Sequence, residues 1–315
     1  MKVVCTSPSF AKYSDEPVQY LTENGIELIR LPADIEEEEF IRQSKDAYAA
    51  IVAFNRINEN VLEQLPNLTI ICKHGVGVDN IDLPAAKKRN VFVTNVPNAN
   101  KHAVADYAFG LMLALARKIP QGVQQTKNGE WPRIFGSDVY GKTIGIVGLG
   151  MIGKEVAKRA KGFNMNILAF DPYPDQTFAA EYQVEYVELT ELLKNSDFVT
   201  LHMPLIEETK NLISKAQFQL MKKNAFLVNA SRGCIVSEED LYDALINKEI
   251  AGAALDVFAL EPLESSPLYD LDQFIAMPHA AGYTSDAVNT LGMVCVKNIV
   301  DVLNHRKTPQ YMVNT

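Results

Sequence analysis

The chain has 315 residues, 47% of them hydrophobic and 22% charged, with a formal net charge of −9. That length suits two domains with a sizeable core, and the acidic balance argues against a nucleic-acid surface. The cysteines Cys5, Cys72, Cys234 and Cys295 are scattered with no CxxC pair, so they read as reduced thiols of a cytoplasmic protein, and no His/Cys/Asp/Glu cluster has metal-ligand spacing.

The first hundred residues alternate strand and helix. Residues 2–6 read as a strand, with no long apolar stretch of the signal-peptide kind. A helix over 17–24 ends at Gly25, and a strand follows over 27–31. The acidic run Glu36–Glu39 opens a helix over 36–44, where negative charge suits the helix dipole. Strands over 49–53 and 68–73, a helix over 83–89 and a strand over 91–94 complete a βαβ rhythm that predicts a parallel sheet covered by helices. A loop over 96–100 leads into a long apolar helix over 103–118, too short and too charged at its ends to span a bilayer. Trp131 lies in a polar stretch over 127–132; it could pack at a dimer or cleft edge, and core packing is the stronger expectation.

The most informative stretch comes next. The β-branched strand Thr143–Val147 runs into Gly148-Leu149-Gly150-Met151-Ile152-Gly153, and a helical segment follows. Gly148 allows the tight turn, Gly150 lets a backbone approach a pyrophosphate, and Gly153 lets the helix lie near the sheet. The helix N-terminus offers unpaired N–H groups and partial positive charge to phosphates. Asp171 ends the following strand and can accept from a ribose diol. Its charge would repel a 2′-phosphate, and Pro172 stands where a phosphate-binding Arg would help, so NAD is expected rather than NADP. Strands resume over 198–202, 225–229, 252–257 and 274–277, and a C-terminal helix spans 285–305.

Arg232, Glu261 and His279 each stand just after one of these apolar strands. In open α/β sheets, ligands bind outside the carboxyl ends of strands. A guanidinium can hold a carboxylate, and an imidazole can pass a proton to or from a carbonyl oxygen. A neighbouring carboxylate orients that imidazole. Taken singly, each has an ordinary structural reading; together, beside a dinucleotide fingerprint, they point to dehydrogenase chemistry.

These stretches, with Asn229-Ala230-Ser231-Arg232-Gly233, Ala254-Leu255-Asp256-Val257-Phe258, Glu261-Pro262, Pro278-His279 and Gly75-Val76-Gly77-Val78-Asp79-Asn80-Ile81-Asp82, resemble the D-isomer-specific 2-hydroxyacid dehydrogenases over nearly the whole chain. The resemblance implies an α/β protein of two doubly wound parallel-sheet domains. A Rossmann NAD-binding domain over 99–285 would be inserted in a flavodoxin-like substrate domain made of 1–98 and 286–315. It implies Arg232, Glu261 and His279 as the catalytic three. The NAD contacts would be Gly148, Gly150, Met151, Ile152, Gly153, Asp171, His202, Pro204, Thr209, Ala230, Arg232, Asp256 and His279. Asp256 would meet the nicotinamide carboxamide. Val76, Gly77, Arg232 and His279 would bind the substrate acid, and the protein would form a homodimer through the cofactor domain. The expected reaction is hydride transfer at C2 of a small D-2-hydroxy or 2-keto acid, of the phosphoglycerate dehydrogenase or the hydroxypyruvate and glyoxylate reductase kind. The alternative is an NAD(H)-responsive binding protein of the corepressor kind. Phosphoglycerate-specific members usually carry an Arg where this chain has Ala53, and Lys73-His74 also departs from their pattern. Both departures count against phosphate recognition; Arg56, Lys73 and His74 would decide the substrate.

Overall fold

The computed structural model describes residues 1–314. The chain divides into two compact units, Met1–Asn100 with Tyr283–Thr315, and Lys101–Gly282. Both are parallel α/β sheets.

In the first unit the strands are β1 (Lys2–Cys5), β2 (Glu27–Arg30), β3 (Ala47–Val52), β4 (Ile70–Lys73) and β5 (Phe92–Thr94). They are ordered β2-β1-β3-β4-β5, the flavodoxin-like arrangement. Helices α1 (Glu16–Glu23), α2 (Glu37–Ser44), α3 (Glu59–Gln64) and α4 (Leu83–Lys88) connect them, and a last helix, Ser285–Leu303, returns to this unit. The strands read as apolar runs because both faces are covered. Val4, Ala50, Val52 and Ile71 enter one core, whereas Val3, Cys5, Ala49, Ile51, Ile70 and Cys72 enter another with Leu291 and Val296 of the last helix. Alternation along each strand places the two cores on opposite faces.

The second unit begins with α5 (Lys101–Arg117) and α6 (Ile119–Lys127). The expected break near residue 118 is sharp: Lys118 takes a left-handed φ of 52° before Pro120 restarts the helix. The strands are β6 (Thr143–Val147), β7 (Asn166–Phe170), β8 (Val184–Tyr186), β9 (Phe198–Leu201), β10 (Phe226–Asn229), β11 (Gly252–Leu255) and β12 (Phe274–Ala276). Helices α7 (Met151–Gly162), α8 (Gln176–Tyr182), α9 (Leu189–Asn195), α10 (Lys215–Phe218) and α11 (Glu238–Ile246) lie between them. The order β12-β11-β10-β9-β6-β7-β8 is the Rossmann order with one further strand, and it reverses between β6 and β9. Ile144, Ile146, Phe198 and Val228 face one core, and Val147, Val199, Leu201 and Leu227 the other. None of the described helices is long and apolar enough to cross a membrane.

Trp131 does not join a core. It is 87% exposed, as is Phe135, in an irregular segment after α6. That segment lacks a helical or strand period to direct a face inward, and the polar residues around Trp131 were the local sign of a surface strip.

Candidate active site

The glycine fingerprint sits at the switch between β6 and β9, where a doubly wound sheet opens a crevice. Gly148 turns the chain with φ at 93°, and a Cβ there would lie 2.7 Å from the His202 carbonyl oxygen. A Cβ on Gly153 would overlap the Gly148 carbonyl, so only a glycine lets α7 rest this close to the turn. Gly150 differs: a Cβ there would meet no protein atom within 4 Å. Protein packing therefore does not require that glycine, whereas a closely approaching pyrophosphate does. Gly150 is the N-cap of α7, so the amides of Met151, Ile152 and Gly153 open the helix. Asp171 accepts from the amides of Leu149 at 2.7 Å and Tyr173 at 2.8 Å, which fixes its carboxylate beside the turn. The residues present fit a dinucleotide.

His202 continues β9 and pairs its Nε2 with Thr200 Oγ1 at 2.8 Å. Burial pushes this imidazole down to about 4, so it is neutral at physiological pH. Thr209 is buried and braces the next loop. Its hydroxyl donates to the Pro204 carbonyl at 2.8 Å and accepts from the Ile206 amide at 2.8 Å.

Three loops at the carboxyl ends of β10, β11 and β12 carry the acid–base groups. After β10, the Asn229 carboxamide accepts from Ser231 N at 3.0 Å and donates to the Arg232 carbonyl at 2.8 Å, an Asx-type turn that sets Ala230 and Arg232 in place. Glu261 Oε1 accepts from the Phe258 amide at 2.9 Å, and Oε2 lies 2.7 Å from His279 Nδ1. Burial pushes the Glu261 carboxyl up, but the His279 hydrogen bond, the Phe258 amide and the Arg232 charge outweigh it and hold the group below the usual carboxylate range. The structure thus brings Glu261 and His279 into contact and puts Arg232 within electrostatic reach.

His279 is held in the left-handed region, with φ at 52°, unusual for a non-glycine residue. Asp256 explains how that conformation persists. The Asp256 carbonyl accepts from His279 N, and its carboxylate oxygens accept from Ala280 N and Ala281 N, all at 2.8 Å. Asp256 is 0% exposed, and burial lifts its carboxyl above the usual range despite those amides. Any contact with a nicotinamide carboxamide would share oxygens already engaged in this clamp. No sequence signal announced the clamp, because its partners are backbone amides.

In the first unit, the turn Gly75–Asp82 follows β4. The Val76 carbonyl accepts from Asn95 Nδ2 at 2.6 Å, and the Gly75 carbonyl accepts from Val96 N at 2.9 Å. Val76 and Gly77 themselves are half-buried. Lys73 Nζ donates to Asn80 Oδ1 at 2.7 Å and to the Ala53 carbonyl, so its ammonium ties this turn to β3. Arg56 is exposed. His74 is only 7% exposed, with Nδ1 at 3.0 Å from Ser7 Oγ, and desolvation pushes it down to about 4. An unfolded histidine titrates near 6.5, so between pH 4 and 6.5 the unfolded chain binds a proton that the folded chain refuses. Stability is therefore complete above pH 6.5 and declines as pH falls through that window. We expect His74→Gln to make the slope of unfolding free energy between pH 5 and 6.5 shallower by close to one proton, about 1.4 kcal/mol per pH unit. Urea titrations at several pH values measure it, and an unchanged slope contradicts the assignment.

Among the described residues, no group of three or more His, Cys, Asp or Glu side chains could hold a metal ion. His102 opens α5 and lies 3.3 Å from Glu155 Oε2. Asp106 pairs with Arg159 on α7. Both are structural contacts within the second unit.

Residues 109–281 match the D-isomer specific 2-hydroxyacid dehydrogenase, NAD binding domain. The chain belongs to the D-isomer specific 2-hydroxyacid dehydrogenase family. It is 40% identical over 307 residues to a D-3-phosphoglycerate dehydrogenase of Methanocaldococcus jannaschii, covering 96% of this chain and 57% of that protein. The chain thus spans little more than half the length of that relative. It is also 40% identical over 282 residues to a glyoxylate reductase of Korarchaeum cryptofilum, covering 87% and 85% of the two. The D-lactate dehydrogenase structure from Escherichia coli superposes with a TM-score of 0.87 at 31% identity, covering 99% and 100%. The matched domain is an NAD-binding one, which accords with the glycine turn and Asp171; solved relatives are recorded with NAD+ and with NADPH.

Proposed function

We propose that this protein is an NAD-dependent oxidoreductase that interconverts a small D-2-hydroxy acid and its 2-keto acid. The observation that carries the reading is the 2.7 Å contact between Glu261 and His279 on adjacent strand-end loops of an NAD-binding domain. Bound NAD supplies the hydride acceptor or donor. Glu261 holds Nδ1 of His279, so Nε2 is the nitrogen that exchanges a proton with the oxygen on C2. Arg232 presents a planar fork of donors that suits the substrate carboxylate and the carbonyl beside it. Within the first unit, the amides of Val76 and Gly77 on the turn after β4 suit a carboxylate. Asp256 acts by holding the loop that carries His279.

The substrate side favours an unphosphorylated acid. Ala53 carries no charge, and the Lys73 ammonium is committed to Asn80 and the Ala53 carbonyl. We expect kcat/KM with NADH to be at least about tenfold higher for glyoxylate and hydroxypyruvate than for phosphohydroxypyruvate, the loss of roughly one charge-assisted contact. A preference for the phosphorylated acid would overturn this choice, and no turnover with any keto acid would favour a binding role.

The protein functions as a homodimer through its NAD-binding unit. Trp131, Phe135, Ile119 and Val123 are exposed apolar side chains on one stretch of that unit, and covering them by a second copy supports this reading. Light scattering in solution should give twice the 35.0 kDa chain mass. The scattered cysteines, all free, suit a reducing compartment such as the cytoplasm.

A further inference from the structure

Asp171 is not the only acid at the ribose end of the cofactor half-site. Lys154, on the first turn of α7 directly after Gly153, has its Nζ 2.5 Å from Asp175 Oδ2 and 5.3 Å from the centre of the Phe178 ring. Asp175 also caps α8, its Oδ1 accepting from Phe178 N at 3.0 Å, and its amide donates to the Tyr186 hydroxyl at 2.9 Å. Burial pushes the Tyr186 hydroxyl up, the Asp175 amide opposes it, and the nearby charges of Asp171 and Asp175 add to the rise while Lys154 opposes it, so these groups share one small region. Asp171 is pinned there by two backbone amides.

Stability does not account for the Lys154–Asp175 pair. Its side chains keep 31% and 40% of their exposure. Such pairs contribute little to folding, because water screens them and ordering both side chains costs entropy. The pair does change the charge seen by a ligand. A lysine at this place, left unneutralised, would offer a point charge to a phosphate at the ribose 2′ position. Neutralised by Asp175, it offers none.

We propose that Asp175 is a cofactor-specificity residue. By holding Lys154 it removes the cation that could receive a 2′-phosphate, and so reinforces Asp171 in excluding NADP. The inference rests on the reading of Asp171 as the ribose carboxylate.

Calorimetric titration with 5′-ADP and 2′,5′-ADP tests it without reference to turnover. Asp175→Asn keeps an oxygen for the α8 cap and loses the charge. It should improve 2′,5′-ADP affinity about tenfold while 5′-ADP affinity changes less than twofold. Adding Lys154→Met to that variant should abolish the gain. An unchanged ratio of the two affinities in Asp175→Asn, or a gain that survives Lys154→Met, overturns the proposal. Lys154→Met alone needs no change at the α8 cap and should leave the ratio as it is; a fall in 2′,5′-ADP affinity there would show that Lys154 already serves that phosphate. Asp171→Asn reports on the underlying reading separately, since it should weaken 5′-ADP binding whether or not Asp175 sets specificity.

Discussion

His279→Ala should lower kcat for keto-acid reduction by about 10²- to 10⁴-fold while NADH affinity stays within about threefold of wild type, the range typical for removing a positioned general acid. The geometry behind this is specific. Glu261 Oε2 meets Nδ1 at 2.7 Å, the Asp256 carbonyl holds the His279 amide, and the Asp256 carboxylate holds the next two amides. The imidazole therefore has a fixed tautomer and a fixed position before substrate arrives. Glu261→Gln should cost less, because a carboxamide oxygen can still accept from Nδ1, though without the strength of a charge-assisted hydrogen bond. Stopped-flow single turnovers with a 2-keto acid, beside NADH fluorescence titration, separate these effects. Unchanged turnover in His279→Ala would remove it from the mechanism.

The second large effect concerns two glycines that look alike in the sequence. A Cβ on Gly233 would lie 2.0 Å from the Phe258 carbonyl carbon and 2.5 Å from Ala259 N. Both are backbone atoms, so no rotamer change relieves the overlap. The Arg232 loop and the Phe258–Glu261 loop would have to separate, and the Phe258 amide would pull away from Glu261. We expect Gly233→Ala to destabilise the unit by about 3 kcal/mol. For a domain of this size that is a fall in Tm of roughly 6–12 °C. Gly150→Ala should leave Tm within about 1 °C, since its Cβ meets no protein atom within 4 Å. It should weaken NADH binding at least about tenfold, because that space belongs to the pyrophosphate. Calorimetric melting and NADH titration of the two variants test the contrast. Equal loss of stability in both would show that Gly150 also serves protein packing.

Much of the cofactor half was legible in the sequence because its signals are local. A strand, a glycine turn, a helix and an acid at the next strand end lie within one βαβ unit, and their chemistry depends on adjacency alone. The Glu261–His279 pair was readable for a different reason. Strand ends converge in a doubly wound sheet, so residues far apart in sequence can be placed on one edge before any coordinates exist. Contacts between distant side chains were not legible. Lys154 and Asp175 are 21 positions apart, and Ser7 and His74 are 67 apart; neither pair carries a motif. The role of Asp256 was hidden because backbone amides have no residue identity. Trp131 was misread as a core residue because large aromatics are usually buried, and only tertiary structure shows a face left open. The short α8 and α9 escaped notice, since seven residues hold barely two helical turns of pattern.

On the proposed function, a hydride passes from NADH to C2 of a keto acid with His279 as its acid–base partner. Incubating the enzyme with hydroxypyruvate and NADH deuterated at nicotinamide C4, and reading the product by proton NMR and chiral chromatography, tests it most directly. The expected product is glycerate of the D configuration carrying deuterium at C2. Glycerate of the L configuration, or intact NADH in the presence of protein that binds it, would overturn the proposed function.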